Sequence, residues 1–331
     1  MRSTSSLKPS LLFAFAVSVA AGMSTGDIAR VRELGYLQQY DSALAITAAA
    51  IQAEPTDPAG YYWQAAVLQL FINDSGRGVL ADSFFALSDH VLMLCRQQLA
   101  EDPEDAQAHL YFGLTQLNRS SFLGWQGRKM SAGKAMLDVS PHLDAALRRD
   151  SSLAEARLAS GMIDYYKATS SKYTLGLHLM GSRPRAYAVV RPMADGDGPL
   201  KGPAEMMMAM MLKTDERYDE AVDYCKRVLA IYPGNRSVMR TMRDAYFKGG
   251  RYADAVQVGA VLDSAIPRAF PDDKYSMAEN WDVCGKAYTQ MGKKDEARER
   301  FNRVIAWEPY QDDVPWLPHY VSECKQWLKK L

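Results

Sequence analysis

Apolar residues recur along this chain at intervals of three and four, the spacing of one helix face, in stripes that come as consecutive pairs divided by short turns. The clearest pair runs from Trp281 to Pro309. Trp281, Cys284, Gly285 and Tyr288 form the stripe of a first helix, and Met291-Gly292-Lys293-Lys294 reads as a turn with Gly at a helix end. Ala297, Phe301 and Val304 form the stripe of a second helix. Pro309 is placed to stop it, because its nitrogen has no hydrogen to donate. The pattern predicts an antiparallel helical hairpin.

Sliding that hairpin back along the chain finds imperfect copies. Tyr218/Ala221 and Tyr252/Ala255 lie 34 residues apart. The offset of Ala followed by Pro recurs as Ala43/Pro55, Ala221/Pro233, Ala255/Pro267 and Ala297/Pro309, with Tyr40 preceding the first as Tyr218 and Tyr252 precede theirs. The small Ala admits a neighbouring helix, and each Pro is expected to open the turn into the next unit. Units begin near Asp27, Ala59, Ala106, Leu153, Gly202, Arg236 and Trp281, the last reached through an extra segment Arg268–Tyr275, with turn residues at Glu54–Pro58, Asp102–Asp105, Asp150–Ser152 and Pro233–Asn235. Residues 24–310 therefore read as one array. In residues 311–331, Leu317, Tyr320, Val321, Cys324, Leu328 and Leu331 form a stripe with Lys325, Lys329 and Lys330 off it, as a helix capping the last unit requires.

The run W-x2-C-G-x2-Y, A-x3-F, P from Trp281 resembles the tetratricopeptide-repeat signature, with Cys where Leu is usual. The resemblance is specific over 217–309 and looser over the second to fourth units. It implies an all-α, right-handed α-solenoid of about seven helix pairs with a C-terminal capping helix. It also implies a non-catalytic interaction scaffold or adaptor that takes a protein or peptide segment in its concave groove, as in exported bacterial proteins of this type. On the groove-lining stripe of the last two units, Arg240, Asp244, Lys248, Asp282 and Lys286 are the candidate contacts, in a setting read as mixed in charge and solvated. Asp244 stands where a clamp for a partner's C-terminal carboxylate would need a neutral acceptor, which argues against that ligand class.

The second to fourth units depart from this pattern. Extra residues are expected between their helices, at 73–81, 118–133 and 170–203, the last interrupted near 183–193. They are not simply polar: Phe122, Leu123, Trp125 and Met130 fall in one, and Tyr173, Leu175, Leu177 and Leu179 in another. The groove stripe of these units is apolar as well, through Trp63, Val67, Leu110, Leu114, Met162 and Tyr165. Apolar residues on both surfaces favour inserts that fold back and fill their own groove. The alternative is an open N-terminal channel that carries an apolar ligand. The methionines Met206, Met207, Met208, Met210 and Met211 suit either core filling or an adaptable surface.

Composition narrows the classes. The chain of 331 residues is 48% apolar and 24% charged, enough to bury a large core, and its 39 basic and 39 acidic residues balance. That balance argues against nucleic acid or an acidic membrane surface as the main partner. Arg2 and Lys8 precede the apolar run Leu11–Ala21, which ends in small residues, so residues 1–22 are expected to be a secretory signal peptide and the protein to be periplasmic or otherwise in the cell envelope. Membrane association is then expected only through that segment if it stays uncleaved. Cys95, Cys225, Cys284 and Cys324 are far apart and read as buried thiols. His90, His109, His142, His178 and His319 have no paired-ligand spacing, so no metal is expected, and no cofactor motif appears. Asp195-Gly-Asp197 opens like a calcium loop but lacks its later ligands. No nucleophile constellation stands out, so no catalytic residue is assigned.

Overall fold

The computed structural model describes residues 23–76, 78–169, 181–314 and 316–331. The expected signal segment 1–22 and the apolar insert stretch Tyr173–Leu179 lie outside them. The described residues form an α-solenoid of consecutive helical hairpins. In chain order these are α1 (Thr25–Tyr36) with α2 (Tyr40–Ala53), α3 (Pro58–Ser75) with α4 (Ala81–Glu101), and α5 (Ala106–Trp125) with α6 (Lys129–Leu137) and α7 (Val139–Arg149). Then come α8 (Ala154–Thr169) with α9 (Arg183–Asp195), α10 (Lys201–Thr214) with α11 (Tyr218–Ile231), α12 (Arg236–Lys248) with α13 (Tyr252–Ala269), and α14 (Lys274–Gln290) with α15 (Lys294–Ile305). Helix α16 (Leu317–Leu328) buries Leu317, Val321 and Cys324 against the last hairpin and covers the face it would otherwise expose.

Local chemistry sets the boundaries. Asp57, Asp105, Ser182, Asn235 and Asp273 stand before their helices, and each side chain accepts a hydrogen bond from a first-turn backbone N–H. Within a hairpin the turn recurs with one geometry. The residue two places before the second helix is left-handed at Gln38, Glu216, Gly250 and Gly292, and the next N–H donates back across the helix end, as from Arg217 to Leu212 O at 2.9 Å and from Lys293 to Tyr288 O at 3.0 Å. Between the helices, Ala43, Ala221, Ala255 and Ala297 are fully buried. Gly113, Gly161 and Gly285 sit so close to the second helix that a Cβ would lie within 3 Å of Leu143, Val190 and Phe301 respectively.

The inserts differ from expectation. Instead of loops they largely lengthen helices: α3 continues to Ser75, α5 to Trp125, α9 to Asp195, and α6 is built almost wholly within or just beyond the second insert. Pro267 does not open a turn. It lies inside α13, where it removes one hydrogen bond near the helix end while Ile266 and Phe270 stay buried on either side.

The array also curls back onto itself, which the repeat pattern did not announce. The end of α3 meets α12 and α14. Asp74, almost wholly buried, accepts hydrogen bonds from Tyr40 Oη at 3.0 Å and from Arg236 Nε at 3.1 Å. Tyr275 covers Gly76 so closely that a Cβ there would lie 2.6 Å from its ring. Tyr36 stacks on Tyr232 at 5.2 Å, and Asn235 Nδ2 donates to Tyr36 O at 2.7 Å. The first two repeats thus meet the last three at one junction.

Candidate functional site

Inside the curl the first helices of five consecutive hairpins, α1, α3, α5, α8 and α10, face a cavity of about 360 Å³. That is the size class of small-molecule sites, about 300–1,000 Å³. Its walls are apolar: Val31, Trp63, Val67, Leu70, Leu114, Leu117, Leu158, Met162, Leu200, Met206, Met207, Met210 and Met211, with Tyr36, Tyr62, Tyr165 and Tyr166. Of the groove residues expected from sequence, Trp63, Val67, Leu114, Met162 and Tyr165 line it, whereas Leu110 is buried in the packing between α3, α5 and α8. The insert residues do not plug it, as far as the described residues extend. Phe122 and Trp125 pack on each other and Phe122 on Phe84 and Phe85, while Leu200 and Pro203 contribute wall. Helix α10 splits its methionines between tasks: Met208 is fully buried core, and the other four line the cavity.

Several polar groups on the wall are occupied by protein partners, while the buried Trp63 Nε1 has no hydrogen-bond partner among the described residues. Arg32 Nη2 pairs with Glu155 Oε1 at 2.9 Å, its Nη1 donates to Pro199 O at 3.0 Å, and the guanidinium lies 5.5 Å from the centre of the Trp63 ring. Tyr165 Oη donates within reach of Met211 O and Asp215 Oδ1, both at 2.8 Å, and burial with Asp215 pushes its phenol above the ordinary range. Thr214 Oγ1 donates to Met210 O at 2.9 Å. Neither Arg32 nor Glu155 was singled out in the sequence, because each is one charge on an otherwise ordinary helix, and they meet across 123 residues.

The charged stripe of the last two hairpins is placed differently from its solvated expectation. Arg240 is buried. It donates to Asn73 O at 2.9 Å and Ser276 Oγ at 3.1 Å, and lies 3.5 Å from Asp74, so it caps the carbonyl end of α3, where a helix dipole favours a cation. Asp244 accepts from the fully buried Arg243 at 2.7 Å and pairs with Lys213 at 3.6 Å. Burial works to raise its carboxyl, and these cations outweigh that and hold it below the ordinary range. Asp282 is buried beside Cys324 and pairs with Lys286 at 2.6 Å, and Lys286 also pairs with Glu323. Burial raises the Asp282 carboxyl, partly opposed by Lys286. Lys248 alone of the five is exposed. The curl accounts for Arg240, because α3 ends against α12 and α14 with Asp74 facing it, while Asp244, Asp282 and Lys286 are paired by the neighbouring helices α10, α12, α14 and α16.

Two further sets of titratable side chains lie in the packing between helices. His109 Nδ1 and His142 Nδ1 are 2.9 Å apart, His109 Nε2 lies 3.1 Å from Pro103 O, and His142 stacks on Phe112. Burial, then His109, lowers the imidazole of His142. Spacing along the sequence hid this pair, which the hairpin brings together. All four cysteines are free and buried, and burial pushes the thiols of Cys95 and Cys225 to about 12 and that of Cys284 to about 11, far from a nucleophilic state. Among the described residues no group of three or more His, Cys, Asp or Glu is arranged to hold a metal, and no helix is long and apolar enough to cross a membrane.

Comparison with known families bears on the second half of the array. One tetratricopeptide-repeat family model matches residues 212–278, and a second matches residues 278–311. Residues 212–311 are tetratricopeptide repeats. These repeats support a protein-interaction scaffold at the family level. No curated protein matches the chain by sequence. Among solved structures it is similar to pilF of Pseudomonas aeruginosa, at 13% identity over 83% of this chain and 99% of that one, with a TM-score of 0.46. It is also similar to a tetratricopeptide repeat protein from Parabacteroides merdae, at 14% identity over 91% and 98% of the two chains, with a TM-score of 0.41.

Proposed function

We propose that this tetratricopeptide-repeat scaffold recognises its partner through the apolar channel of its first five hairpins, not through the charged stripe of its last two. The observation that carries the reading is the contrast between them. The channel leaves about 360 Å³ between apolar walls supplied by five separate hairpins. Apart from the exposed Lys248, the stripe has its ions paired within the protein, and the end of α3 is seated against it. An apolar group entering the channel gains the transfer free energy of leaving water, with no buried ion pair to break.

A fluorescent hydrophobic dye, 1-anilinonaphthalene-8-sulfonate, tests this on the folded protein. Saturable binding with one site per chain, lost in Met162→Trp and in Met210→Trp at unchanged melting temperature, is the expected result. No saturable binding, or binding indifferent to both variants, overturns it. Crosslinking in intact cells then identifies what the channel holds.

Export to the cell envelope is part of the same proposal and is supported by Arg2, Lys8 and the run Leu11–Ala21. N-terminal sequencing of protein recovered from its host decides it: a start near Met23 agrees, and a start at Met1 does not.

A further inference from the structure

The chemistry of the channel walls restricts what can occupy them. A helix with its side chains is about 10 Å across and rises about 1.5 Å per residue, so two turns of it fill roughly 850 Å³. That exceeds twice the cavity of about 360 Å³. The channel cannot enclose a partner helix. An extended peptide is narrower but brings one N–H and one C=O for every residue, and each must find a partner once buried. The wall offers few: Arg32 is spent on Glu155 and Pro199 O, Thr214 on Met210 O, and Tyr165 on Asp215 and Met211 O. That leaves Trp63 Nε1, unpartnered among the described residues, and the amides of Gln69 and Asn118, too few for every backbone group of a buried segment. A hydrocarbon chain asks for no hydrogen bonds at all.

The wall is also suited to a chain of many conformers. Four of its methionines, Met206, Met207, Met210 and Met211, come from one helix, and Met162 faces them from α8. Met is unbranched, has three rotatable bonds and carries a polarisable sulfur, so it re-packs around a flexible guest. The charge on the wall is balanced, because the guanidinium of Arg32 is 2.9 Å from the carboxylate of Glu155. A free carboxylate head gains nothing from that neutral pair and meets Glu155 as a like charge.

We propose that the channel binds one linear acyl chain whose head is uncharged, an ester or amide, and not a free fatty-acid anion. This rests on the reading of the channel as the recognition site. A methylene is comparable in volume to a water molecule, about 30 Å³, so the cavity suits roughly ten to twelve carbons.

Displacement of the dye from the intact protein tests it, with monoacylglycerols of six to eighteen carbons and with dodecanoate as probes. The expected result is strongest displacement near twelve carbons, with dodecanoate at least about tenfold weaker than monododecanoylglycerol. In Glu155→Gln, which leaves Arg32 unbalanced, dodecanoate gains about tenfold and the neutral probe does not change. Met210→Trp, at a residue 47% exposed, abolishes binding of monododecanoylglycerol itself, read by calorimetry without the dye. Dye that stays bound to the channel in the presence of every acyl probe overturns the acyl inference and leaves the channel reading standing. Equal displacement at all chain lengths, or a preference for the anion, also overturns the acyl inference. Absence of dye binding overturns both.

Discussion

Asp74 and Arg236 lie 162 residues apart and meet in a buried ion pair, Arg236 Nε donating to Asp74 Oδ1 at 3.1 Å. A repeat array needs only neighbour contacts to be stable, so a bond of this range records how far the hairpins have curled. Because Arg240 also lies 3.5 Å from Asp74, the carboxylate balances two cations with little access to water. Removing one partner of a buried pair leaves an uncompensated charge, which costs about 3–5 kcal/mol. Asp74→Ala is therefore expected to lower the urea midpoint by that equivalent and to enlarge the radius of gyration as the junction opens. Replacing Lys226, exposed and paired only with Asp223 at 3.7 Å, is expected to change neither quantity measurably.

The Gly285 and Phe301 pair offers a test of close packing within a hairpin. A Cβ on Gly285 would lie 2.5 Å from the ring of Phe301, which is itself fully buried. The ring has no free volume to retreat into, so Gly285→Ala is expected to destabilise by about 1–3 kcal/mol, the range for overpacking. Chemical denaturation of the full chain measures it. A stability within experimental error of wild type means that α14 and α15 can separate without cost.

That contact was legible in the sequence, and the Asp74 junction was not. Trp281, Gly285, Ala297 and Phe301 fall on one 3.6-residue period within a single hairpin, so local spacing alone reports which side chains meet. Curvature is another matter. It accumulates from a small rotation at every repeat, and no residue carries it as a pattern. Arg240 looks like a solvated groove charge until the curl brings the end of α3 beside it, and Asp282 until the capping helix α16 covers it. The apolar channel was half legible for the same reason: Trp63, Leu114, Met162 and Tyr165 share a stripe, while only the fold turns the α10 methionines from core filler into wall.

Glu216 occupies the left-handed turn position that Gly250 and Gly292 fill in the next two hairpins. A residue with a Cβ loses roughly 1–2 kcal/mol there relative to the ordinary helical region. Glycine removes that strain but gives up roughly 0.5–1 kcal/mol through the freedom of the unfolded chain. Glu216→Gly is thus expected to stabilise by about 0.5–1 kcal/mol, seen as a higher midpoint at unchanged denaturant slope. A lower midpoint would mean that the Glu216 side chain makes a contribution larger than its backbone strain.

Asp273 gives the chain a pH dependence with a definite sign. It caps α14, accepting from Ser276 N at 2.9 Å, yet it is only 6% exposed and its other oxygen has no hydrogen-bond partner. Burial raises its carboxyl from the ordinary 3.8 to about 6, with Ser276 and then Arg240 opposing the rise and Asp74 adding to it. Between those two values the folded state holds a proton that the unfolded chain has lost, so this group's contribution to stability falls as pH rises from about 4 to about 6 and stays low above. A shift of about two units corresponds to about 2–3 kcal/mol. Asp273→Asn keeps the capping oxygen and removes the titration. The variant is expected to match wild type near pH 4, to exceed it by about 2 kcal/mol at pH 7.5, and to lose the slope between, as read from urea midpoints across that range. If the two proteins run parallel from pH 4 to 7.5, the buried carboxyl at the head of α14 titrates as an ordinary aspartate and the junction admits more water than its packing implies.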